Sequence, residues 1–178
     1  YNIDVNKIED AITEKTKAII PVHMAGVPAK MDEIMAIARK HNIPVLEDSC
    51  QALGGTYKGR HLGTMGKAGV YSLDIGKIIT TGEGGLLVTD DEQIYQKAKQ
   101  YSDHGHENNP DLPRGKDTRT FWGFNYKATE FHGAVGMVQR KKLDFILAKQ
   151  KANKKKIKDA IRDVKNIEFR ELPDESGD

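Results

Sequence analysis

A strand, helix and strand pattern over residues 17–48 constrains the fold most. Residues 17–22 form a short, mostly apolar run that is typical of a buried strand. Residues 29–42 carry apolar side chains at the spacing that places them on one face of a helix, namely Met31, Ile34, Met35 and Ala38. Residues 43–48 form a second apolar run. Two strands joined by a helix are expected to be parallel, which predicts an α/β chain with both carboxyl ends at one sheet edge.

The rest of the chain continues this alternation. The pattern predicts a short helix over 7–15, a small hairpin around Lys58 and Gly59, strands at 69–73 and 85–89, and a helix over 91–101. The prolines, glycines and polar residues of 103–122 predict an irregular connection. Irregular connections of that length are usually functional. From Thr129, a plausible N-cap, the apolar spacing predicts one long helix that runs to about Val164.

Composition narrows the class of protein. The 178 residues are 38% hydrophobic and 30% charged, as in ordinary globular proteins. The 28 basic and 26 acidic residues nearly balance, which gives no electrostatic reason to expect nucleic acid or an anionic membrane as partner. Cys50 is the only cysteine, so no disulfide can form within the chain, and we expect a cytoplasmic protein. Since the chain begins at Tyr1 rather than Met, we expect it to be part of a longer protein.

Polar residues collect where the predicted strands end. In open α/β sheets, ligands bind beyond the carboxyl ends of the strands, and His23, Asp48 and Gln51 fall there. Asp48 has two interpretations that position alone leaves open. It either caps the next short helix or faces a cation on a bound ligand, such as a protonated pyridine nitrogen.

Lys77 lies between two predicted strands, in a segment rich in glycine and threonine. A lysine is most often a solvated surface charge. A lysine in mostly uncharged surroundings can instead have the lowered pKa that Schiff-base chemistry requires. Ser72 lies five residues earlier, and its hydroxyl, together with glycine backbone N–H groups, suits phosphate oxygens.

Four segments in order carry a specific resemblance to a known family. They are Asp48-Ser49-Cys50-Gln51-Ala52-Leu53-Gly54, Tyr71-Ser72 through Lys77, Gly82-Glu83-Gly84-Gly85, and Gly123-Phe124-Asn125-Tyr126. Together they resemble the DegT/DnrJ family of sugar aminotransferases, which use pyridoxal 5′-phosphate (PLP). The resemblance implies the three-layer αβα large domain of a fold type I PLP-dependent transferase, with a mostly parallel sheet. It also implies that residues 1–148 belong to the PLP-binding large domain, and that 149–178 complete a long helix and begin a small C-terminal domain.

The same resemblance assigns roles to individual residues. Lys77 corresponds to the lysine that carries PLP as a Schiff base and then moves a proton between substrate and cofactor carbons. Asp48 corresponds to the partner of the pyridine nitrogen, Gln51 lies beside the ring, and Ser72 binds the phosphate.

One further implied role involves a second subunit, and two other residues match positions whose exact role the resemblance does not define. Asn125 is similar to the asparagine that reaches the phosphate from the neighbouring subunit, which implies a homodimer with shared active sites. His23 and Glu83 match positions close to the site, with a substrate-related or structural role. Lys127 departs from the family pattern, because an arginine usually follows the Asn-Tyr pair.

The implied reaction moves an amino group from an amino acid, with glutamate preferred, to a keto or aldehyde sugar that is often nucleotide-linked. The product would be an amino sugar for a surface polysaccharide or a secondary metabolite. Two alternatives stay open: an octulosonate C8 aminotransferase, which residues 103–110 resemble, and a non-catalytic PLP-binding regulatory relative. A dinucleotide-binding domain is disfavoured because residues 23–28 lack the G-x-G-x-x-G turn.

Three further features favour structural interpretations. His104, His106 and His132 lack the spacing of a recognisable zinc site, so we predict no metal. The lysines of 149–158 predict a solvated helix face. Cys50 is expected to be a buried, unreactive thiol, because the carboxylate of Asp48 disfavours its thiolate.

Overall fold

The computed structural model describes residues 1–174 and contains two small sheets. Its strands are β1 (Leu46–Asp48), β2 (Thr56–Tyr57), β3 (Arg60–His61), β4 (Ala68–Ser72) and β5 (Gly85–Val88). The larger sheet has the order β1-β4-β5, with β1 and β4 parallel and β4 and β5 antiparallel. β2 and β3 form the predicted hairpin, and its turn residues Lys58 and Gly59 both have positive φ. This geometry is typical of two-residue hairpin turns.

The first predicted strand, residues 17–22, lies parallel to β1, as the strand, helix and strand pattern requires. The pairing consists of isolated bridges between Ile19 and Val45 and between Val22 and Asp48. Pro21 has no N–H to donate, yet its carbonyl accepts from Asp48 N at 2.9 Å. The segment is therefore extended and correctly paired, although it is not a regular strand. The sheet is mixed, and of its pairings only the one between β4 and β5 is antiparallel within residues 1–174.

Two helices pack against β1 and the extended segment 17–22, and their buried side chains form the core with them. α1 (Ile8–Ala11) follows a single 3-10 turn. On α2 (Met31–Lys40), Met31, Ile34 and Ala38 of the predicted inner face are at most 2% exposed, whereas Met35 is half-buried. The predicted helix over 7–15 was too long. It ends at Ala11 because Ile12 is extended, and because Thr16 Oγ1 accepts from Thr13 N in place of a helical carbonyl.

Three helices follow the sheet: α3 (Glu92–Tyr101), α4 (Glu130–Arg140) and α5 (Leu143–Ile161). The prediction of one long helix from Thr129 was wrong in its middle. At Lys142 the backbone N–H bonds to Gln139 O at 2.9 Å, so a tighter i→i+3 turn separates α4 from α5. Thr129 does cap α4, and His132 completes a reciprocal capping box with it. No helix within residues 1–174 is long and apolar enough to cross a membrane.

Candidate active site

Asp48 ends β1 at the edge where the predicted site lies. Its backbone is held on one side by Pro21 and His23, since Asp48 N donates to Pro21 O and His23 N donates to Asp48 O at 3.0 Å. Its carboxylate Oδ1 accepts from Cys50 N at 3.0 Å. The side chain is half-buried. One oxygen of Asp48 thus caps the following turn, as the first of the two interpretations predicts, and the role of Asp48 toward a ligand stays a prediction.

Gln51 lies on the loop after β1 and connects that loop to the preceding crossover. Its side-chain Oε1 accepts from Ala25 N at 2.9 Å. Ala25 has a left-handed φ of 53°, so this bond stabilises a backbone conformation that a non-glycine residue rarely adopts. The contact holds the two loops at the carboxyl edge of the sheet together.

Ser72 ends β4 at the same edge as Asp48. In the parallel register Asp48 lies opposite Val70, so Ser72 stands two residues beyond it along the neighbouring strand. Ser72 Oγ accepts from Asp74 N at 3.3 Å, which leaves its hydroxyl hydrogen available to donate. The arrangement places a carboxylate and a hydroxyl on adjacent strand ends.

Lys77 follows β4 in a loop that folds back on Leu73. Lys77 N donates to Asp74 O at 3.1 Å, and Leu73 exchanges backbone bonds with Gly84 and Thr81. Lys77 is half-buried, and its neighbour Ile79 is only 7% exposed. These contacts tie both ends of the loop to β4 and hold the lysine beside the sheet edge.

The charges of Asp48 and Lys77 both act on the Cys50 thiol. Burial, with the neighbouring Asp48 carboxylate, raises the pKa of Cys50 to about 11, while the Lys77 ammonium opposes the rise. The thiol therefore stays protonated at neutral pH, as the sequence predicted, although its side chain is half-buried rather than fully buried.

His23 touches Asp48 through its backbone, but its ring belongs to the core. Nδ1 accepts from Ala29 N at 3.0 Å, and an accepting Nδ1 leaves the ring hydrogen on Nε2. Nε2 then donates to Glu47 at 3.1 Å. Since both ring nitrogens are engaged, His23 supports the strand that presents Asp48 and offers no free nitrogen to a ligand.

Glu47 was missed by the sequence analysis and is the main polar support of the site. Its fully buried carboxylate accepts from the backbone N–H groups of Gly63, Met65 and Gly66 at 2.5–2.8 Å, besides His23. Burial alone would raise the pKa of Glu47, but these four donors outweigh it and lower the pKa below its ordinary value. The sequence did contain a sign of this role, because Glu47 lies within a predicted buried strand, and a buried carboxylate needs hydrogen-bond partners.

Glu83 and Asn125 occupy other places. Glu83 is exposed in the loop after Lys77, where its backbone oxygen accepts from Thr81 Oγ1 at 2.7 Å. Asn125 pairs through its backbone with Asp103. No hydrogen bond within residues 1–174 connects Asn125 to Asp48, Gln51, Ser72 or Lys77. Within residues 1–174 the predicted residues therefore divide: Asp48, Gln51, Ser72 and Lys77 lie at or just beyond the strand ends, and Asn125 lies in a second network.

His106, in the long connection, and His132, on α4, have structural partners. His106 Nδ1 contacts Asp117 at 3.0 Å and its Nε2 contacts Arg119 at 2.7 Å, while His132 caps α4. Asp117 also accepts from two backbone N–H groups, of Asn108 and Asn109. No group of three His, Cys, Asp or Glu side chains that could hold a metal ion occurs in the described part of the chain.

A cleft of about 460 Å³ opens beside Gln51. One wall includes Gln51 and Ile78, the residue after Lys77, and the opposite wall comes from α5 with Lys151 and Lys154. Burial lowers the pKa of Lys154, and the positive charges of Lys158, Arg170 and Lys151 lower it further. The lysines predicted to form a solvated face therefore partly line an electropositive cleft next to the site.

Comparison with known proteins decides the family. Residues 1–177 match the DegT/DnrJ/EryC1/StrS aminotransferase family. The chain belongs to this family. Among curated relatives of the chain, a GDP-perosamine synthase from Caulobacter vibrioides is 39% identical over 152 residues, which cover 83% of this chain and 38% of that protein.

Solved structures agree with the family and the fold. An aminotransferase from Psychrobacter cryohalolentis superposes with a TM-score of 0.87 at 40% identity, over 97% of this chain and 45% of that one. An E. coli GDP-4-keto-6-deoxy-D-mannose-3-dehydratase with bound hydrated PLP superposes with a TM-score of 0.85 at 31% identity, over 96% and 47%. These likenesses confirm the predicted α/β fold of fold type I PLP enzymes. The chain spans less than half the length of each of these relatives.

Proposed function

We propose that the whole protein is a PLP-dependent aminotransferase that moves an amino group from glutamate or a similar amino acid to the carbonyl carbon of a keto or aldehyde sugar. The observation that carries the proposal is the parallel register of β1 and β4, since Asp48 ends β1 and Lys77 lies in the loop that follows β4 at the same edge of the sheet. A carboxylate and an amine carried at the carboxyl edge of two parallel strands are the two groups this chemistry needs at opposite ends of a pyridine ring.

The residues at the edge fit the chemical groups of PLP. Asp48 offers a carboxylate oxygen to the pyridinium, and Lys77 offers a primary amine to the aldehyde. Ser72 has a hydroxyl hydrogen that no residue within 1–174 accepts, and it stands beside the loop in which Gly82 and Gly84 have positive φ. Hydroxyl and glycine N–H donors suit phosphate oxygens. When bound, PLP acts as the electron sink that stabilises a carbanion at the substrate carbon.

Each residue has a distinct task in this proposal. Asp48 would form an ion pair with the protonated pyridine nitrogen, and its backbone bonds to Pro21 and His23 fix its position. The Lys77 amine would hold the cofactor aldehyde and would act as the general acid and base that moves a proton at the substrate carbon. Gln51 would lie beside the ring, where its bond to Ala25 N holds it.

We also propose a homodimer in which Asn125 completes the partner's site. Several large apolar side chains near Asn125 and on α4 are strongly exposed, among them Trp122 at 95%, Phe131 at 85% and Met137 at 69%. Apolar surface of this extent usually marks an interface.

For the sugar substrate, we propose a nucleotide-linked sugar that is aminated for a polysaccharide or a secondary metabolite. The electropositive cleft beside Gln51 suits the phosphate groups of such a substrate. The relatives named above include a GDP-perosamine synthase, whose name refers to a nucleotide-linked amino sugar. The octulosonate alternative has less support, because Asp103 and His106 of the resembling segment are engaged in contacts within the chain.

Spectroscopy of the whole protein tests the proposal against a non-catalytic PLP-binding relative. Addition of glutamate should convert the visible absorbance band of the bound cofactor to that of the amine form, and a keto-sugar nucleotide should restore it. A band that glutamate leaves unchanged would favour a regulatory protein. The variant Lys77→Ala should lose the conversion, whereas Lys97→Ala, on the exposed face of α3, should retain it.

A further inference from the structure

The ammonium of Lys127 bridges two side chains from different segments. Its Nζ lies 2.7 Å from Asp103 Oδ1 and 2.7 Å from Asn125 Oδ1. A lysine ammonium has three hydrogens to donate and no acceptor. The oxygen of the Asn125 amide must therefore face Lys127, and the amide nitrogen must point the other way.

The amide nitrogen of Asn125 is left with two hydrogens to donate. No group within residues 1–174 accepts from Nδ2, and the Asn125 side chain is exposed. Phe124 and Tyr126, on either side of it, pack with Tyr101 at ring distances of 5.5 Å and 6.2 Å. Because side chains alternate along an extended segment, Asn125 projects from the face opposite these rings.

Asp103 holds the Lys127 ammonium in place and is itself held by Arg114. Its side chain is only 9% exposed and accepts from Arg114 through both oxygens, at 2.9 Å and 2.6 Å. Asp103 and Asn125 are also backbone partners in an antiparallel bridge. The Arg114 guanidinium, followed by the Lys127 ammonium, lowers the pKa of Asp103 far below its ordinary value. The carboxylate is therefore ionised at neutral pH and can hold Lys127 in place.

We propose that Asp103 and Lys127 are positioning residues that fix the Asn125 amide with its N–H groups outward, as donors to the cofactor phosphate in the neighbouring subunit. This inference rests on the proposed function. It assigns a task to the long connection 103–122, whose residue Arg114 locks Asp103. It also gives the lysine at position 127, where the family usually has arginine, a specific contact.

The test compares two ligands in the whole dimeric holoenzyme: PLP, and pyridoxal, which lacks the phosphate. Lys127→Met should weaken PLP roughly tenfold, the loss expected for one misdirected charge-assisted hydrogen bond, and leave pyridoxal affinity unchanged. Lys127→Arg should retain most of the PLP affinity because it restores the donor. Lys116→Met, which removes an exposed lysine of the same connection, is the matched control and should change neither affinity.

A double variant separates positioning from a general structural role. If Lys127 acts through Asn125, Lys127→Met should add little to the loss of PLP affinity caused by Asn125→Ala. Additive losses, or equal weakening of PLP and pyridoxal, would overturn the inference and leave the proposed function intact. Failure of the wild-type protein to bind PLP would overturn the proposed function, and the inference with it.

Discussion

His23 donates its Nε2 hydrogen to the Glu47 carboxylate across 3.1 Å, and both side chains are completely buried. The pair joins the crossover after the first strand to β1, and Glu47 also gathers the loop of residues 63–66 through three backbone N–H groups. Since Asp48 is the next residue along β1, this buried pair fixes the strand end that carries the proposed cofactor contact.

Glu47→Gln should destabilise the protein by about 3 kcal/mol, because an amide in this position turns an N–H group toward other donors. The pKa of Glu47 is lowered in the folded state, so its contribution is complete above the ordinary value of 4.5 and is lost as the pH falls through the lower folded pKa. The difference in urea unfolding free energy should therefore be constant from pH 6 to 8 and shrink below about pH 4.5. Glu33→Gln, on the exposed face of α2, is the control, and equal effects would contradict the assignment.

Cys50 should react slowly with iodoacetamide. Its pKa of about 11 keeps the thiol protonated at pH 8, where an ordinary cysteine is partly ionised. Because the Asp48 carboxylate contributes to the rise, Asp48→Asn should lower the pH at which alkylation accelerates. Peptide mass spectrometry of the apo protein across a pH series measures this. An unchanged profile in the variant would contradict the effect of the Asp48 carboxylate on the pKa of the thiol.

Gly69→Ala should cost about 3 kcal/mol or more, since a Cβ on β4 would overlap the Gly63 carbonyl in the loop held by Glu47. Backbone atoms cannot move aside as a flexible side chain can. Gly115→Ala is the matched control, because a Cβ there meets nothing within 4 Å. Thermal unfolding of both variants decides the point, and similar melting temperatures would contradict the packing described for β4.

The elements predicted best were those whose signal is local. The face of α2 followed from apolar spacing, and the hairpin at Lys58 and Gly59 followed from its turn residues. The division between α4 and α5 escaped prediction, because Lys141 and Lys142 are good helix formers and the apolar spacing continues across them. Propensity alone gives no reason for a break there.

The site shows the same division between local and distant signals. The pattern of strand ends predicted His23, Asp48 and Gln51 at one edge, and the parallel register of β1 and β4 adds Ser72 on the adjacent strand. The contacts of Asp103 with Arg114 and Lys127 join residues 11 and 24 positions apart through an irregular connection, and no periodic pattern reports such pairs. The cofactor roles of all the predicted site residues stay predictions, as does the domain boundary at residue 148, which falls within α5.

The most direct test of the central claim is borohydride reduction of the whole protein with PLP, followed by peptide mapping. The account predicts a single pyridoxyl adduct on Lys77, loss of that adduct in Lys77→Ala, and weaker PLP binding in Asp48→Asn. An adduct on another lysine, or none, would contradict the account.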